Sequence, residues 1–406
     1  MLKHLHLKNL LKIDNMIFLD LGFQPFANEY LKHKKKKEKK YRLLIDYDKK
    51  NKIVSIKKKF LSKEIFKNNY PYRSSLSQTM RKSFKNLSNL IKKKFKSEKI
   101  LEIGCNDGVF LENFNKKKAI GIEPCKNIAK LSKKKKINII SEYWTKKLSD
   151  KIKKNYGKFD IIFSANTITH IKNFDDVFKS VNNVLEENGV FIIQDPSLLE
   201  LIKKNAYDQF YNEHIYVFSY LSLSKILKKH NLEIFNLENV KDHGGSLRYY
   251  IKKKYSNRKI KQSVNIQKNT EIKNGLHQLS TYKKFSKRVE LSKNKLISLI
   301  YKINKKNKKI VGYGATAKAV TVLNYCKINQ NNIKYFVDTT PEKQGKLMPG
   351  VKIPIKKYSK LSKNKIDYAF LGAWNFKDEI LKKEKKFLSN NGKFITHVPF
   401  PKIIDR

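Results

Sequence analysis

Residues Tyr207 to Tyr220 read YDQFYNEHIYVFSY, a lysine-free run in a lysine-rich chain. It gathers four tyrosines, a glutamate and a histidine, without the branched aliphatic pattern of a core strand. Histidine, with an ordinary pKa of about 6.5, is the side chain best matched to taking a proton near neutral pH. Tyrosine hydroxyls donate hydrogen bonds without adding charge. Tyr211 and His214 stand three apart, so a helical turn would present them on one face, and Glu213 would orient an imidazole or bind a hydroxyl. The alternative is packing, with aromatic core residues around a hydrogen-bonded histidine.

Two glycine loops supply something for such a run to act on. In KILEIGCNDGVFLENF, Glu102 ends a strand and Gly104, Asn106, Asp107 and Gly108 form the turn before a helix. Glu123 ends the next strand in AIGIEP, where doubly wound folds place the acid that accepts from a ribose diol. The run SANTITHI adds Asn166 and His170 at the same carboxyl edge. E-x-G-x-N-D-G is not the G-x-G-x-x-G of a dinucleotide site. It points to S-adenosylmethionine, whose amino-acid end takes acidic and carbonyl partners; a tight βα turn in an unrelated α/β domain is the alternative. The second loop, GYGATAK, places Gly314, Ala315 and Lys318 at a helix start, with Asn324 on that helix and Asp338 ending the following strand. Lys318 would meet a diphosphate there, unless this domain only buttresses the first. KDHGGSLRYY brings His243, Gly244, Gly245, Ser246 and Arg248 together, either as a loop approaching a ligand or as a hairpin turn.

The elements that must position these residues alternate strand with helix, which predicts α/β architecture with parallel, doubly wound sheets. Four blocks separate: an amino-terminal module (1–67), a cofactor-binding domain (68–255), a helical connector (256–307) and a smaller Rossmann-like domain (308–406). KHKKKKEKK in the first block reads as a solvated loop, because like charges at this density repel.

The formal net charge is +55, but only seven of the 90 basic residues are arginine and the lysines run from end to end. Phosphate readers cluster charge and use arginine forks, so specific nucleic-acid recognition is not expected. Cys105, Cys125 and Cys326 form no CxxC pair, which argues against a disulfide framework or a zinc site and fits a reducing cytosol. MLKHLHLKNLLKI lacks the apolar run of a signal peptide, and no stretch of about eighteen apolar residues predicts a membrane span.

Over nearly its whole length the chain resembles the S-adenosylmethionine-dependent sugar C-methyltransferases of branched deoxysugar pathways, such as those of tetronitrose, mycarose and noviose. The resemblance is carried, in order, by LDLGFQPFANEYL, YPYRSS, LEIGCNDGVFL, GIEP, YNEHIYVFS, HGGSLR, GYGATAKAVTVLNY, VDTTPEKQGKLMPGVKIPI and AWNFKDEI. It implies a class I methyltransferase domain and methyl transfer to C3 of a dTDP-linked or related 4-keto-6-deoxysugar. It assigns the base to His214, acid or enolate-stabilising work to Tyr211, support to Glu213 and pocket lining to His170. Tyr70 and Tyr72 would close over the reaction, and the nucleotide would lie between the two α/β domains. The chain departs from the family twice. Asp48 and Asn51 stand where the amino-terminal module usually has zinc-binding cysteines, so no metal is expected, and Asn212 replaces the first histidine of Tyr-His-Glu-His. Two other classes compete: a methyltransferase acting on RNA or a small amine, and a degenerate sugar-nucleotide-binding scaffold.

Overall fold

The computed structural model describes residues 15–35, 37–95 and 99–405; the whole of MLKHLHLKNLLKI, Lys36 of KHKKKKEKK and Arg406 lie outside them. The first sheet is antiparallel. Strand β1 (Asn15–Pro25) pairs with β2 (Lys40–Asp48), which turns back into β3 (Ile53–Ile56). Tyr41, Leu43, Ile45 and Tyr47 of β2 are buried at every second position, the period of a strand packed on one face. Asp48 closes the β2–β3 turn, its carboxylate accepting from the backbone N–H of Asn51 at 2.9 Å and from the Asn51 amide at 2.7 Å. A carboxylate and an amide bonded to each other do not fit a zinc site, which needs thiolate or imidazole donors. Hydrogen bonds hold the turn instead. Among the described residues, no three His, Cys, Asp or Glu side chains converge where a metal ion would sit.

The second sheet contains β4 (Ile100–Ile103), β5 (Ala119–Ile122), β6 (Asn138–Ile140), β7 (Phe159–Ala165) and β8 (Leu185–Pro196). After the two-residue β9 (Tyr216–Val217) come β10 (Leu232–Val240) and β11 (Ser246–Lys253). The sheet order is β6-β5-β4-β7-β8-β11-β10, parallel from β6 to β8, with β11 antiparallel to both its neighbours. Every residue of β4 and β5 is buried, as in a sheet covered on both faces. Side chains of Thr145, Asn173 and Ser197 cap the N-termini of its helices. This is the doubly wound sheet expected from the alternation of elements, in the class I methyltransferase domain that the resemblance implies, and its order reverses at β4.

Strand β9 belongs elsewhere. It pairs antiparallel with β3, Val54 opposite Val217 and Ser55 opposite Tyr216, so the run Tyr207–Tyr220 completes the first sheet.

The third sheet, β12 (Ile310–Tyr313), β13 (Phe336–Asp338), β14 (Ile355–Lys357), β15 (Tyr368–Leu371), β16 (Lys393–Thr396) and β17 (Lys402–Ile404), runs β14-β13-β12-β15-β16-β17 and is parallel except for β17. Two helices precede it. Leu279–Lys305 buries Tyr282, Phe285, Val289, Leu296, Ile300 and Ile303 at helical spacing, and Tyr282 stacks on Tyr47 of β2 at 4.5 Å. From Gln262–Lys273, the Glu271 carboxylate accepts the backbone N–H groups of Tyr220 and Leu221, capping the helix that follows the tyrosine-rich run. Among the described residues no helix is long and apolar enough to cross a membrane.

Asp208 joins that run to the third sheet. Its side chain is fully buried, accepts from Trp374 Nε1 at 2.5 Å and lies 3.1 Å from His397 Nε2. Burial alone would raise this carboxyl; the charges of His397 and Lys318 and the Trp374 hydrogen bond carry it below its usual value instead. Asp208→Ala would strand two buried partners, so a loss of about 3–5 kcal/mol is expected in urea unfolding. An unchanged midpoint would show that the contact holds nothing.

Candidate active site

A cavity of about 330 Å³ lies where the carboxyl ends of the second and third sheets face each other. Glu102 in β4, Gly104 and Asn106 after it, Glu123 after β5, and Asn166 and His170 after β7 line one side. Gly314 and Lys318 after β12 and Asp338 at the end of β13 line the other, while Tyr70, Tyr72, Tyr211, His214 and His243 close the space between. Open α/β sheets bind ligands at this edge.

The first glycine loop is shaped by sterics. Gly104 has φ +74°, and a Cβ there would stand 2.1 Å from Thr167 Oγ1. Glu102 is buried and its Oε2 has no partner. Burial, then the charges of Asp107 and Glu123, push its carboxyl well above the usual range. Glu123 accepts the backbone N–H groups of Asn106 and Cys125, yet burial still raises its carboxyl. This edge of the cavity calls for positive charge, and the amino group and sulfonium of S-adenosylmethionine provide it.

At the centre, Tyr211 Oη and His214 Nε2 are 2.7 Å apart. The run is not helical here; one turn, with the His214 N–H donating to the Tyr211 carbonyl at 3.0 Å, brings the pair together before the chain enters β9. Burial, followed by the charges of His170 and Lys318, lowers His214 well below 6.5, with a hydrogen bond from its ring to the Gln209 backbone opposing them. Burial first, then Glu213, raises Tyr211 well above 10. The imidazole is therefore neutral and the phenol protonated, so the Tyr211 O–H donates to Nε2. The His170 ring stacks on His214 at 5.1 Å and on Phe66 at 5.4 Å. Its Nε2 has no partner, and burial lowers its pKa to about 3. His243 Nε2 is likewise unpartnered, held to about 3 by burial and then Lys318. Lys318 itself is lowered to about 8 by burial, against the pull of Asp208. It reaches the His243 carbonyl at 3.4 Å and lies over the Trp374 ring.

Other residues singled out from the sequence lie outside the cavity wall, each for a physical reason. Glu213 turns away from His214 and accepts from Asn28 and Tyr70. Asp107 is taken by Ser75, through both its hydroxyl and its backbone N–H. At Gly108 a Cβ would meet Ile137 at 2.5 Å. Gly244 and Gly245 make room for protein rather than for a ligand: added Cβ atoms would meet the Trp374 ring at 2.4 Å and Glu200 at 3.0 Å. Ser246 donates to the Asp242 carbonyl, and Arg248 on β11 grips Gln194 and Glu238. Ala315 donates its N–H to Asp338, and Asn324 donates to the carbonyls of Val320 and Pro349. Asn106 lines the cavity, yet its side chain also fastens the segment Tyr70–Ser75, accepting from the Ser74 N–H and donating to the Tyr72 carbonyl.

Several residues of the site carry no signal in the sequence although they stand in or beside its motifs. Asn28 follows QPFA, Gln209 precedes Tyr211 by two, and Lys343 lies in VDTTPEKQG. Lys343 donates to the Ala315 carbonyl at 2.9 Å and lies 3.5 Å from Asp338. Trp374 is in AWNFKDEI, and no spacing rule pairs it with Gly244.

Two outcomes follow. Gly104→Ala should weaken S-adenosylmethionine binding at least about tenfold by calorimetry while the fold survives, because the new methyl collides with Thr167; unchanged affinity would contradict this. In histidine-labelled protein, the His214 ring resonance, assigned with His214→Asn, should stay at its neutral position as the pH falls through 6.5. Titration near 6.5 would contradict the burial argument.

Residues 72–237 match a methyltransferase domain family, and residues 241–399 match the C-methyltransferase C-terminal domain family. The chain is 29% identical over 307 residues to C-methyltransferase NovU from Streptomyces niveus, covering 75% of this chain and 73% of that protein. Among solved structures, an S-adenosylmethionine-dependent methyltransferase from Thermotoga maritima, described as a possible histamine N-methyltransferase, aligns with 42% of this chain and 89% of its own, at 17% identity and a TM-score of 0.33. Magnesium protoporphyrin IX methyltransferase from Synechocystis, with bound S-adenosylmethionine, aligns with 42% of this chain and 78% of its own, at 9% identity and a TM-score of 0.32. With a methyltransferase domain and a C-methyltransferase C-terminal domain matched in succession, the chain belongs to the S-adenosylmethionine-dependent C-methyltransferases.

Proposed function

We propose that the enzyme methylates C3 of a nucleotide-linked 4-keto-6-deoxysugar. The observation that carries this reading is the buried, neutral His214 imidazole with the Tyr211 hydroxyl on its Nε2, facing a cavity shared by two α/β sheets. An amine acceptor needs no such pair, because it attacks once neutral. A carbon acceptor must first lose a proton, and carbon next to a ketone is where that loss is feasible. S-adenosylmethionine, when bound, supplies an electrophilic methyl group.

In this reading the Tyr211 hydroxyl swings from Nε2 to the ketone oxygen when substrate enters. His214 then takes the proton α to the ketone on Nε2, the C–H electron pair moves into the enolate, and Tyr211 stabilises the developing oxyanion by donating to it. The enolate carbon would then bond to the methyl group as the methyl–sulfur bond of the bound cofactor breaks, its electron pair staying on sulfur, and the ketone is restored. Tyr70 and Tyr72 cover the reacting carbon from the amino-terminal side. Lys318, with Arg73, Lys343 and Lys383 also in the lining, supplies the positive charge that a nucleoside diphosphate requires. The clustering of unpartnered imidazole Nε2 atoms on His170 and His243 offers acceptors to sugar hydroxyls.

The test is incubation with labelled S-adenosylmethionine and a panel of dTDP-4-keto-deoxysugars. Label should reach sugar carbon, with kcat falling about 10²–10⁴-fold in His214→Asn and about 10²-fold in Tyr211→Phe. No transfer to any sugar, with methylation of RNA or an amine instead, would overturn the reading.

A further inference from the structure

Replacing C–H by C–CH₃ while the cofactor loses its positive charge releases one proton per turnover. His214 receives that proton where burial, His170 and Lys318 all favour the neutral ring. The proton must therefore leave before the next cycle. A second cavity, of about 180 Å³, lies behind the tyrosine-rich run and has room for several waters. Asn28 and Tyr70 line both cavities, whereas Glu213 lines only the second. Tyr70 Oη donates to Glu213 Oε2 at 2.8 Å, and Asn28 Nδ2 donates to Oε1 at 2.6 Å. One phenol thus reaches from the reacting space to a buried carboxylate on the far side of the wall. The outer lining of the second cavity includes Lys67 and Glu29, an ion pair whose side chains are 51% and 42% exposed, so this compartment adjoins solvent.

We propose, on the basis of the reading above, that Tyr70 and Glu213 are the proton exit of the catalytic cavity. The Tyr70 oxygen accepts a proton from the cavity as its own O–H proton passes to Glu213, so the phenol ends neutral and the carboxylate becomes a carboxylic acid. Glu213 then gives that proton to water in the second cavity and is again a carboxylate. One substrate hydroxyl or water completes the path from His214 and Tyr211 to Tyr70.

The charges around Glu213 suit this task. Burial raises its carboxyl to about 7, against the hydrogen bonds from Asn28 and Tyr70 and the charge of Lys343. Glu64, Lys346, Lys67 and Glu29 line the outer part of the compartment. Burial first, with the Glu213 charge adding to it, shifts Tyr30, Tyr41, Tyr70, Tyr211 and Cys125 upward, so they stay protonated. Glu213 accepts a proton only when ionised. Turnover should therefore rise with pH through about 7.

The experiment measures kcat against pH for the wild type, Glu213→Gln, Glu213→Ala and Tyr70→Phe, with thermal midpoint and S-adenosylmethionine affinity recorded for each. Glu213→Gln and Tyr70→Phe should lose at least about tenfold in kcat, and Glu213→Gln should lose the rise through pH 7. Added formate, small enough for the vacated space, should restore turnover to Glu213→Ala in a concentration-dependent way. A folded, cofactor-binding Glu213→Gln with the wild-type profile would overturn the proposal, as would a slow Glu213→Ala that ignores formate. Failure of the substrate reading would appear separately, as a wild type inactive on every 4-keto sugar.

Discussion

The 2.7 Å contact between Tyr211 and His214 exists only because the residues on either side of it are bonded to different parts of the molecule. Asp208 is held by Trp374 and His397 of the third sheet's domain. Asn212 Oδ1 accepts the backbone N–H of Ala27 at 3.0 Å, Glu213 is held by Asn28 and Tyr70, and Tyr216 pairs with Ser55 of β3. Glu271 of the connector then caps the helix that follows. A short turn carrying a neutral imidazole into a buried cavity would not hold itself; here three packed layers fix it. Asn212, the departure from the family's Tyr-His-Glu-His, faces the first sheet and leaves the His214 ring untouched.

The same arrangement divides the cavity electrically. Glu102 and Glu123 gather at the edge of the methyltransferase sheet with an unpartnered carboxyl oxygen, while Lys318 and Lys343 stand on the side of the third sheet. A cationic cofactor and an anionic nucleotide would each meet the opposite sign. His214 lies between, and its basicity is depressed by burial and by Lys318 together. The abundant surface lysine plays no part in this. The lysine-free run keeps further ammonium groups away from an imidazole that must still accept a proton.

Much of the fold was legible because its signals are local. Apolar runs such as ILEI and AIGI are parallel strands buried on both faces, and Gly104 and Gly314 both adopt the positive φ that their turns require. The Tyr211–His214 pair was legible too, since three-residue spacing brings side chains together in an isolated turn as well as in a helix. What was not legible depends on partners distant in sequence. Gly244 and Gly245 resemble a ligand-approaching loop until Trp374, 130 and 129 positions later by number, takes the space beside Gly244. Asp107 looks like part of a cofactor motif, but Ser75 claims its carboxylate. Glu213, adjacent to His214 in sequence, faces the opposite way because Asn28 and Tyr70 supply its donors from the amino-terminal side.

The central claim is that His214 removes a proton from carbon beside a ketone before any methyl transfer. Hydrogen exchange at that carbon tests it most directly: the 4-keto sugar nucleotide is incubated with enzyme and S-adenosylhomocysteine in deuterated water and followed by proton NMR. The account predicts loss of the C3 proton signal with wild-type enzyme and its persistence with His214→Asn. Methyl transfer by an enzyme that never exchanges that proton, or exchange at an undiminished rate in His214→Asn, would contradict it.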